Sequence, residues 1–337
     1  MNFVLYSPRF HPAVGGVESV VLNLALELSR AHQVTVLTQT PADTADNFPF
    51  TVVRQAALPA VVRHIRAGDL LVQFNVSLRG LLPWLLTGRP LVLTHHNEYP
   101  RYALTGWLKR AVMRLAALNT GCSRFITRQL RRGAWLPNPY DDSVFGRPTA
   151  TVRPQEGEKQ RLLFVGRLVS DKGCDLLLNA LAELKRDYGL QPGLTIVGDG
   201  PERPALEALV WQWRLEKQVT FVGTRQGETL AHTLREHPIV VIPSRYDEPF
   251  GIVALEAIAC GCFVIGARAG GLPEAIGPCG ITFPKGNLPA LAAAIRRALM
   301  NPDWTLSFRQ EAADQLRPHT RAAVAQHFVT LIERLYE

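Results

Sequence analysis

Short apolar runs alternate with amphipathic helical segments along most of this chain, and that alternation admits few folds. The pattern is cleanest from Arg161 onward. Arg161-Leu-Leu-Phe-Val165 opens a series of expected strands that continues at Leu194–Val197, Val219–Val222, Ile239–Ile242, Phe263–Ile265 and Gly280–Phe283. Helical segments separate them, as at Cys174–Tyr188, where Leu177, Leu178, Leu181 and Leu184 make one apolar stripe. The first half carries a similar series at Phe3–Tyr6, Gln33–Leu37, Asp69–Gln73, Pro90–Thr94 and Asn119–Cys122. Its first helix shows in the period of Val17, Val20, Val21, Leu24, Ala25 and Leu28. Between the two series, residues 137–160 lose periodicity and gain proline, glycine and charge, which reads as a linker. Short apolar strands separated by such helices predict parallel sheets covered on both faces. The expected fold class is α/β, with two doubly wound, Rossmann-like parallel-sheet domains over residues 1–150 and 151–318. Ligands in that architecture bind beyond the carboxyl ends of the strands.

Composition narrows the functions available. A chain of 337 residues, 47% hydrophobic and 20% charged, has the makings of full globular cores. Its richest apolar stretch, Leu70 to Thr94, is broken by Arg79, Pro83, Arg89 and Pro90, so no membrane span is expected. The start, Met-Asn-Phe-Val-Leu-Tyr-Ser, lacks a basic leader, and the five cysteines form no pair of CxxC units. A cytoplasmic location and buried, reduced cysteines are the expectation.

The net charge of +8 is concentrated in one segment. Between Glu98 and Asp141 there is no acidic residue, yet Arg101, Lys109, Arg110, Arg114, Arg124, Arg128, Arg131 and Arg132 lie there. Trp107, Leu108, Val112 and Leu115 interleave with these cations, and Trp135 follows. Segment 101–135 is either a solvated helix whose apolar stripe is core or a surface that rests on anionic lipid as a peripheral attachment. No nucleic-acid-binding module appears.

Four loops of the second half hold unusual residues at strand ends. Gly166-Arg167 to Lys172-Gly173 sets two cations before a helix start, an arrangement suited to an anion. Gly198-Asp199-Gly200-Pro-Glu202 is either a close backbone approach to a ligand or an ordinary tight turn. In Pro243-Ser-Arg-Tyr-Asp-Glu248-Pro-Phe250-Gly251-Ile252-Val253-Ala-Leu-Glu256, a carboxylate sits inside an apolar helical stretch. Burying Glu256 there requires hydrogen-bond donors, from an arginine of the core or from the hydroxyls of a sugar. Ala269-Gly270-Gly271-Leu-Pro-Glu274 is a further glycine-rich loop.

In this order and spacing, Gly166-Arg167…Lys172-Gly173, Gly198-Asp-Gly-Pro-Glu202, Glu248-x7-Glu256 and Gly270-Gly-Leu-Pro-Glu274 resemble the retaining, metal-independent group 1 (family 4-type) glycosyltransferases of the GT-B fold. Gly15-Gly16-Val-Glu18 looks like that family's opening glycine loop, and the resemblance spans residues 1–300. One departure is Asn138-Pro139, where the family usually has glycine after the asparagine. The resemblance implies that the two domains face across a cleft, with the last helix, 319–337, returning to the first domain. It implies a donor of nucleotide-diphosphate sugar, UDP- or GDP-linked, and a saccharide or lipid-linked acceptor, with no cofactor and no metal. The implied donor contacts are Gly15, Gly16, Gly198, Asp199, Gly200, Phe250, Gly251, Ile252, Val253 and Glu256. Arg167 and Lys172 would neutralise the diphosphate, in a chain with no Asp-x-Asp. Glu256 would accept from the ribose, Glu248 would hold the transferred sugar, and His96 of Thr94-His-His96 would serve the acceptor side. Competing readings on the same scaffold are a sugar-nucleotide epimerase or hydrolase, and a non-catalytic nucleotide-sugar-binding protein.

Overall fold

The computed structural model describes residues 1–13, 15–41, 47–99, 104–130, 132–146, 161–301, 303 and 307–337. Contacts group residues 1–140 with 318–337 as one unit and residues 141–317 as another.

The first unit is built on β1 (Asn2–Tyr6), β2 (Gln33–Thr38), β3 (Thr51–Arg54), β4 (Leu70–Phe74), β5 (Leu91–His95), β6 (Leu118–Gly121) and β7 (Gly133–Trp135). They form one sheet in the order β3-β2-β1-β4-β5-β6-β7, and every pairing is parallel. The second unit has β8 (Arg161–Val165), β9 (Gly193–Val197), β10 (Val219–Phe221), β11 (Ile239–Ile242), β12 (Phe263–Arg268) and β13 (Gly280–Pro284). Its sheet, also wholly parallel, runs β10-β9-β8-β11-β12-β13. Helices take both faces, so central strands are buried throughout: β4, β5 and β11 have no exposed position. That double burial is why they read as unbroken apolar runs rather than alternating ones.

Two strands escape the sequence pattern, β3 and β7. Both are edge strands with no fully buried residue, so neither needs an apolar run. At the other end of the chain, the helix Arg321–Glu333 packs on the helix Gly16–Leu28. Val324, Ala325, Phe328 and Ile332 form its buried stripe, and the Thr320 hydroxyl caps its start by accepting from Ala323 N–H at 3.3 Å.

The stretch expected as a linker divides. Residues 137–140 are buried: Tyr140 N–H donates to His319 O at 3.1 Å, and His319 Nδ1 donates to Asn138 O at 3.0 Å. Residues 147–160 lie outside the described residues, as do Arg101, Arg131 and the side chains of Trp107 and Leu108. Of the interleaved apolar positions that remain, Val112 packs into the core of the first unit, while Leu115 is exposed. Among the described residues no helix is long and apolar enough to cross a membrane.

Each strand order reverses beside the strand that comes first in its unit. Crevices therefore open beyond the carboxyl ends of β1 and β4 in one sheet, and of β8 and β11 in the other.

Candidate active site

In the second unit the loops after β8 and β11 flank the reversal, and they are fastened together. Gly173, with φ +69°, starts the helix Cys174–Tyr188 so close to β11 that a Cβ there would collide with the Pro243 carbonyl oxygen. Arg245 N–H donates to Asp171 O at 2.7 Å, and the Arg245 guanidinium grips Asp175 with two bonds of 2.5 and 2.6 Å. These ties bring Lys172 to Glu248: the ammonium lies 2.7 Å from Oε1.

Glu248 is buried at 6% exposure, and protein donors already hold both its oxygens. Oε1 accepts from Lys172 and from the Ser244 hydroxyl at 2.6 Å; Oε2 accepts from the Tyr246 hydroxyl at 2.5 Å. A carboxylate offers about four acceptor positions, so Oε2 keeps room for one more donor. Lys172 also stands 4.8 Å from the centre of the Tyr246 ring. Burial and the neighbouring Glu248 charge raise the Tyr246 pKa well above its ordinary value, so this phenol stays a donor. The charge of Lys172 is thus shared with Glu248.

The Arg167 side chain is exposed, and its guanidinium has no hydrogen-bond or ion-pair partner among the described residues. It is near enough to Tyr246 to favour the ionised phenol. With Lys172 and Glu248 balancing each other, Arg167 is the excess cation of the cluster.

Glu256 sits on the helix Ile252–Ala259, whose amino end is Gly251 with no side-chain cap. Ala254 N–H donates to Gly251 O at 3.0 Å, while the N–H groups of Ile252 and Val253 have no carbonyl of the helix to bond. The Glu256 carboxylate makes no hydrogen bond or salt bridge to any described residue. No arginine among the described residues pairs with it. Burial first, and the Asp141 charge second, push its pKa up to about 7. Phe250 is fully buried, and Ile252 and Val253 are half-buried.

The glycines of the 198–200 loop have a packing cause within the unit. Gly198, at φ +137°, lies against Gly166 so tightly that a Cβ would collide with its carbonyl, and a Cβ at Gly200 would collide with the Leu168 carbonyl. Gly166 N–H donates to Val197 O at 3.0 Å and Leu168 N–H to Asp199 O at 2.9 Å, so this loop braces the one that carries Arg167. Asp199 itself is exposed and turns back on Gly200 N–H at 2.7 Å.

In the first unit the two adjacent histidines separate cleanly. His95 is structural: Val76 N–H donates to Tyr99 OH, Tyr99 OH bonds Nδ1 at 3.0 Å, and Nε2 meets Asn119 Oδ1 at 2.9 Å. Burial lowers its pKa to about 4. His96 is 7% exposed and stacks on Phe74, with Nε2 3.2 Å from the Thr94 hydroxyl. Burial and the neighbouring His95 lower its pKa to about 3. By geometry its Nδ1, Asn138 Oδ1 and Thr120 Oγ1 have no hydrogen-bond partner among the described residues, though Asn138 lies near enough to His96 to favour the charged ring, and all three residues line one small pocket. Asn75, in the left-handed region at φ 60° just past β4, presents its Oδ1 to His96 N–H at 2.8 Å. Gly15 and Gly16 begin the helix after β1, again with no side-chain cap.

Sequence reading missed Ser244, Tyr246, Asn75 and the Arg245–Asp175 clasp. Ser244 and Tyr246 share a loop with Glu248, but loop spacing carries no period from which convergence could be read. Among the described residues no group of three or more His, Cys, Asp or Glu side chains is arranged to hold a metal ion.

Two wholly parallel α/β units, one with cations and carboxylates gathered at its strand reversal, define a doubly wound, ligand-binding class of protein. Comparison with known proteins places the chain more closely. Residues 150–315 match the family model described as Glycosyl transferases group 1, and residues 14–141 match Glycosyltransferase Family 4. The chain is 30% identical over 274 residues to an alpha-D-kanosaminyltransferase of Streptomyces kanamyceticus, covering 77% of this chain and 68% of that protein. Other curated relatives, at 36–43% identity, match over 31–49% of their own length. Among solved structures, sucrose-phosphate synthase from Thermosynechococcus elongatus superimposes with a TM-score of 0.84 at 25% identity, over 99% of both chains. The Anabaena protein HepE, solved with UDP, does so with a TM-score of 0.82 at 21% identity, over 99% of this chain and all of that one. The chain belongs to the group 1 glycosyltransferases, with the GT-B type of fold.

Proposed function

We propose that the protein transfers a sugar from a nucleotide-diphosphate donor to an acceptor hydroxyl, with retention at the anomeric carbon and without a metal. One observation carries the reading: Glu256 is a carboxylate among apolar neighbours with no donor among the described residues, at a pKa of about 7, one turn into a helix whose amino end has no side-chain cap. A vicinal diol supplies two donors to such a carboxylate, and a diphosphate suits the N–H groups at the helix start. A nucleoside-diphosphate sugar brings both. HepE is a fold relative solved with UDP-glucose, which agrees with this donor class.

In the reaction, the bond between the sugar's anomeric carbon and the diphosphate oxygen breaks, and a bond to the acceptor oxygen forms. The acceptor's proton passes to the departing phosphate oxygen. Arg167, unpaired in the cluster, meets the growing negative charge, and Lys172 shifts its attention from Glu248 toward phosphate as that charge develops. Glu248 is held in place by Ser244 and Tyr246, and its remaining acceptor position on Oε2 takes one sugar hydroxyl. His96, with its pKa near 3, is neutral in the working range and acts on the acceptor side as a hydrogen-bonding group rather than an acid.

The test is a thermal-shift screen against UDP-, GDP- and ADP-sugars, followed by product analysis with EDTA present. A matched donor at 100 times its Kd stabilises by about 2.7 kcal/mol. Transfer should survive the chelator. Loss of transfer restored by a divalent ion would overturn the metal-free mechanism, and a changed sugar formed without acceptor would indicate an epimerase or hydrolase instead.

A further inference from the structure

The helix Leu78–Leu85 in the first unit is apolar on the wrong side. Its inner face is small and well packed: Gly80 sits against the Tyr6 ring, and Leu81 and Trp84 join the core. Its outer face carries Leu78, Leu82 and Leu85, with Leu86 just after, at 51%, 57%, 62% and 52% exposure. Spacings of four, seven and eight residues put these four on one stripe. A surface helix ordinarily turns charge to water, and a cluster of exposed leucines marks a contact with something apolar.

What surrounds the stripe says which partner. Arg79 lies on the same helix, exposed. At the helix's carboxyl end Arg66 donates to Leu86 O at 2.8 Å, and Arg89 donates to Arg66 O at 3.2 and 2.7 Å, so two exposed guanidinium groups stand beside Leu85 and Leu86. The neighbouring helix Leu58–Ala67 adds Arg63 and an exposed Leu58. From Asn47 to Tyr140 the sequence has thirteen Lys and Arg against two carboxylates, Asp69 and Glu98. Asp69 accepts from Asn2 N–H, and Glu98 from Gln129. An apolar ridge within a field of arginines matches a surface whose interior is hydrocarbon and whose rim is negative. A second copy of this chain would bring the same positive field to its own.

We infer that the Leu78/Leu82/Leu85/Leu86 ridge inserts into the headgroup region of an anionic lipid bilayer, with Arg66, Arg79 and Arg89 at the phosphate level. This moves the membrane contact away from segment 101–135, whose Val112 is spent on the core. The inference is independent of the donor chemistry proposed above.

All five native cysteines are buried, so Leu86→Cys can be labelled selectively with an environment-sensitive fluorophore. Trp211→Cys, at a position 72% exposed in the second unit, is the control site. With vesicles of phosphatidylcholine containing phosphatidylglycerol, the full chain should sediment, and the dye at 86 should brighten and shift to the blue while the dye at 211 does not. Vesicles of phosphatidylcholine alone, or 0.5 M salt, should weaken binding at least tenfold. Leu82→Ser with Leu85→Ser should do the same while the melting temperature and nucleotide-sugar binding stay at parental values. Three results would overturn the inference: no sedimentation with anionic vesicles, sedimentation with an unchanged dye at 86, or a dimer in solution that the two serine substitutions dissociate.

Discussion

Glu256→Gln offers the most direct test of the site, because the ionisation of Glu256 is governed by its surroundings and not by a protein partner. Burial and the Asp141 charge raise its pKa from 4.5 to about 7. At about 1.36 kcal/mol per pH unit, that rise corresponds to about 3 kcal/mol. The residue is half-buried rather than sealed, so solvent screening brings the expected value to about 1–3 kcal/mol. A carboxylate whose folded pKa lies above its unfolded one contributes stability below the unfolded value, 4.5, and loses it as pH rises through about 7. Glutamine keeps the shape and removes the titration. In urea unfolding of the free protein, the stability of the variant relative to the parent should increase by about 1–3 kcal/mol between pH 4.5 and pH 8. The cost of burying the amide is the same at every pH and cancels from that comparison. Ligand reverses the order. Hydrogen bonds to a charged group contribute about 1.5–3 kcal/mol each, so losing the charge should weaken binding of the nucleotide sugar by about 10- to 100-fold in calorimetry. Parental affinity should also rise with pH up to about 7 and then level, while that of the variant stays flat. A stability difference that does not change from pH 4.5 to 8 would refute the burial argument. An unchanged Kd would refute the assignment of Glu256 to the ribose.

Lys172→Ala removes a cation 2.7 Å from the buried Glu248, so turnover should fall by about 10²–10³ in a steady-state assay. Tyr246→Phe, which takes one donor from the same carboxylate, should weaken sugar-dependent binding while sparing binding of the nucleotide alone. Gly198→Ala places a Cβ against the Gly166 carbonyl at φ +137°, and should lower unfolding free energy by about 2 kcal/mol or more, read by urea titration. His95 and His96 have folded pKa values near 4 and 3 against 6.5 unfolded. Their contribution is complete above pH 6.5 and is lost as pH falls toward 4, at up to about 1.4 kcal/mol per pH unit for each. His95→Gln should flatten that acid limb, measured as urea midpoints at pH 7 and pH 5.

The sequence by itself determined the layers. Strands such as Leu162–Phe164 and Ile239–Ile242 are buried on both faces, so they must be apolar at every position, and that requirement is visible in one dimension. Helices with one buried stripe, such as Cys174–Tyr188, are equally visible through their period. The edge strands β3 and β7 face no such demand and left no mark. Arg167, Lys172, Glu248 and Glu256 were recognisable as residue types and spacings. Tertiary structure alone decided what each carboxylate meets: Glu248 finds Lys172, 76 residues away, because strand order puts β8 beside β11, whereas Glu256 finds no partner among the described residues. It also decided that both ring nitrogens of His95 are hydrogen-bonded while Nδ1 of its neighbour is not among the described residues, and that three leucines of one helix and the one just after it face outward. Burial pattern is a property of a segment and repeats along it. Contact between side chains depends on which segments the sheet makes neighbours, and nothing within a single segment encodes that.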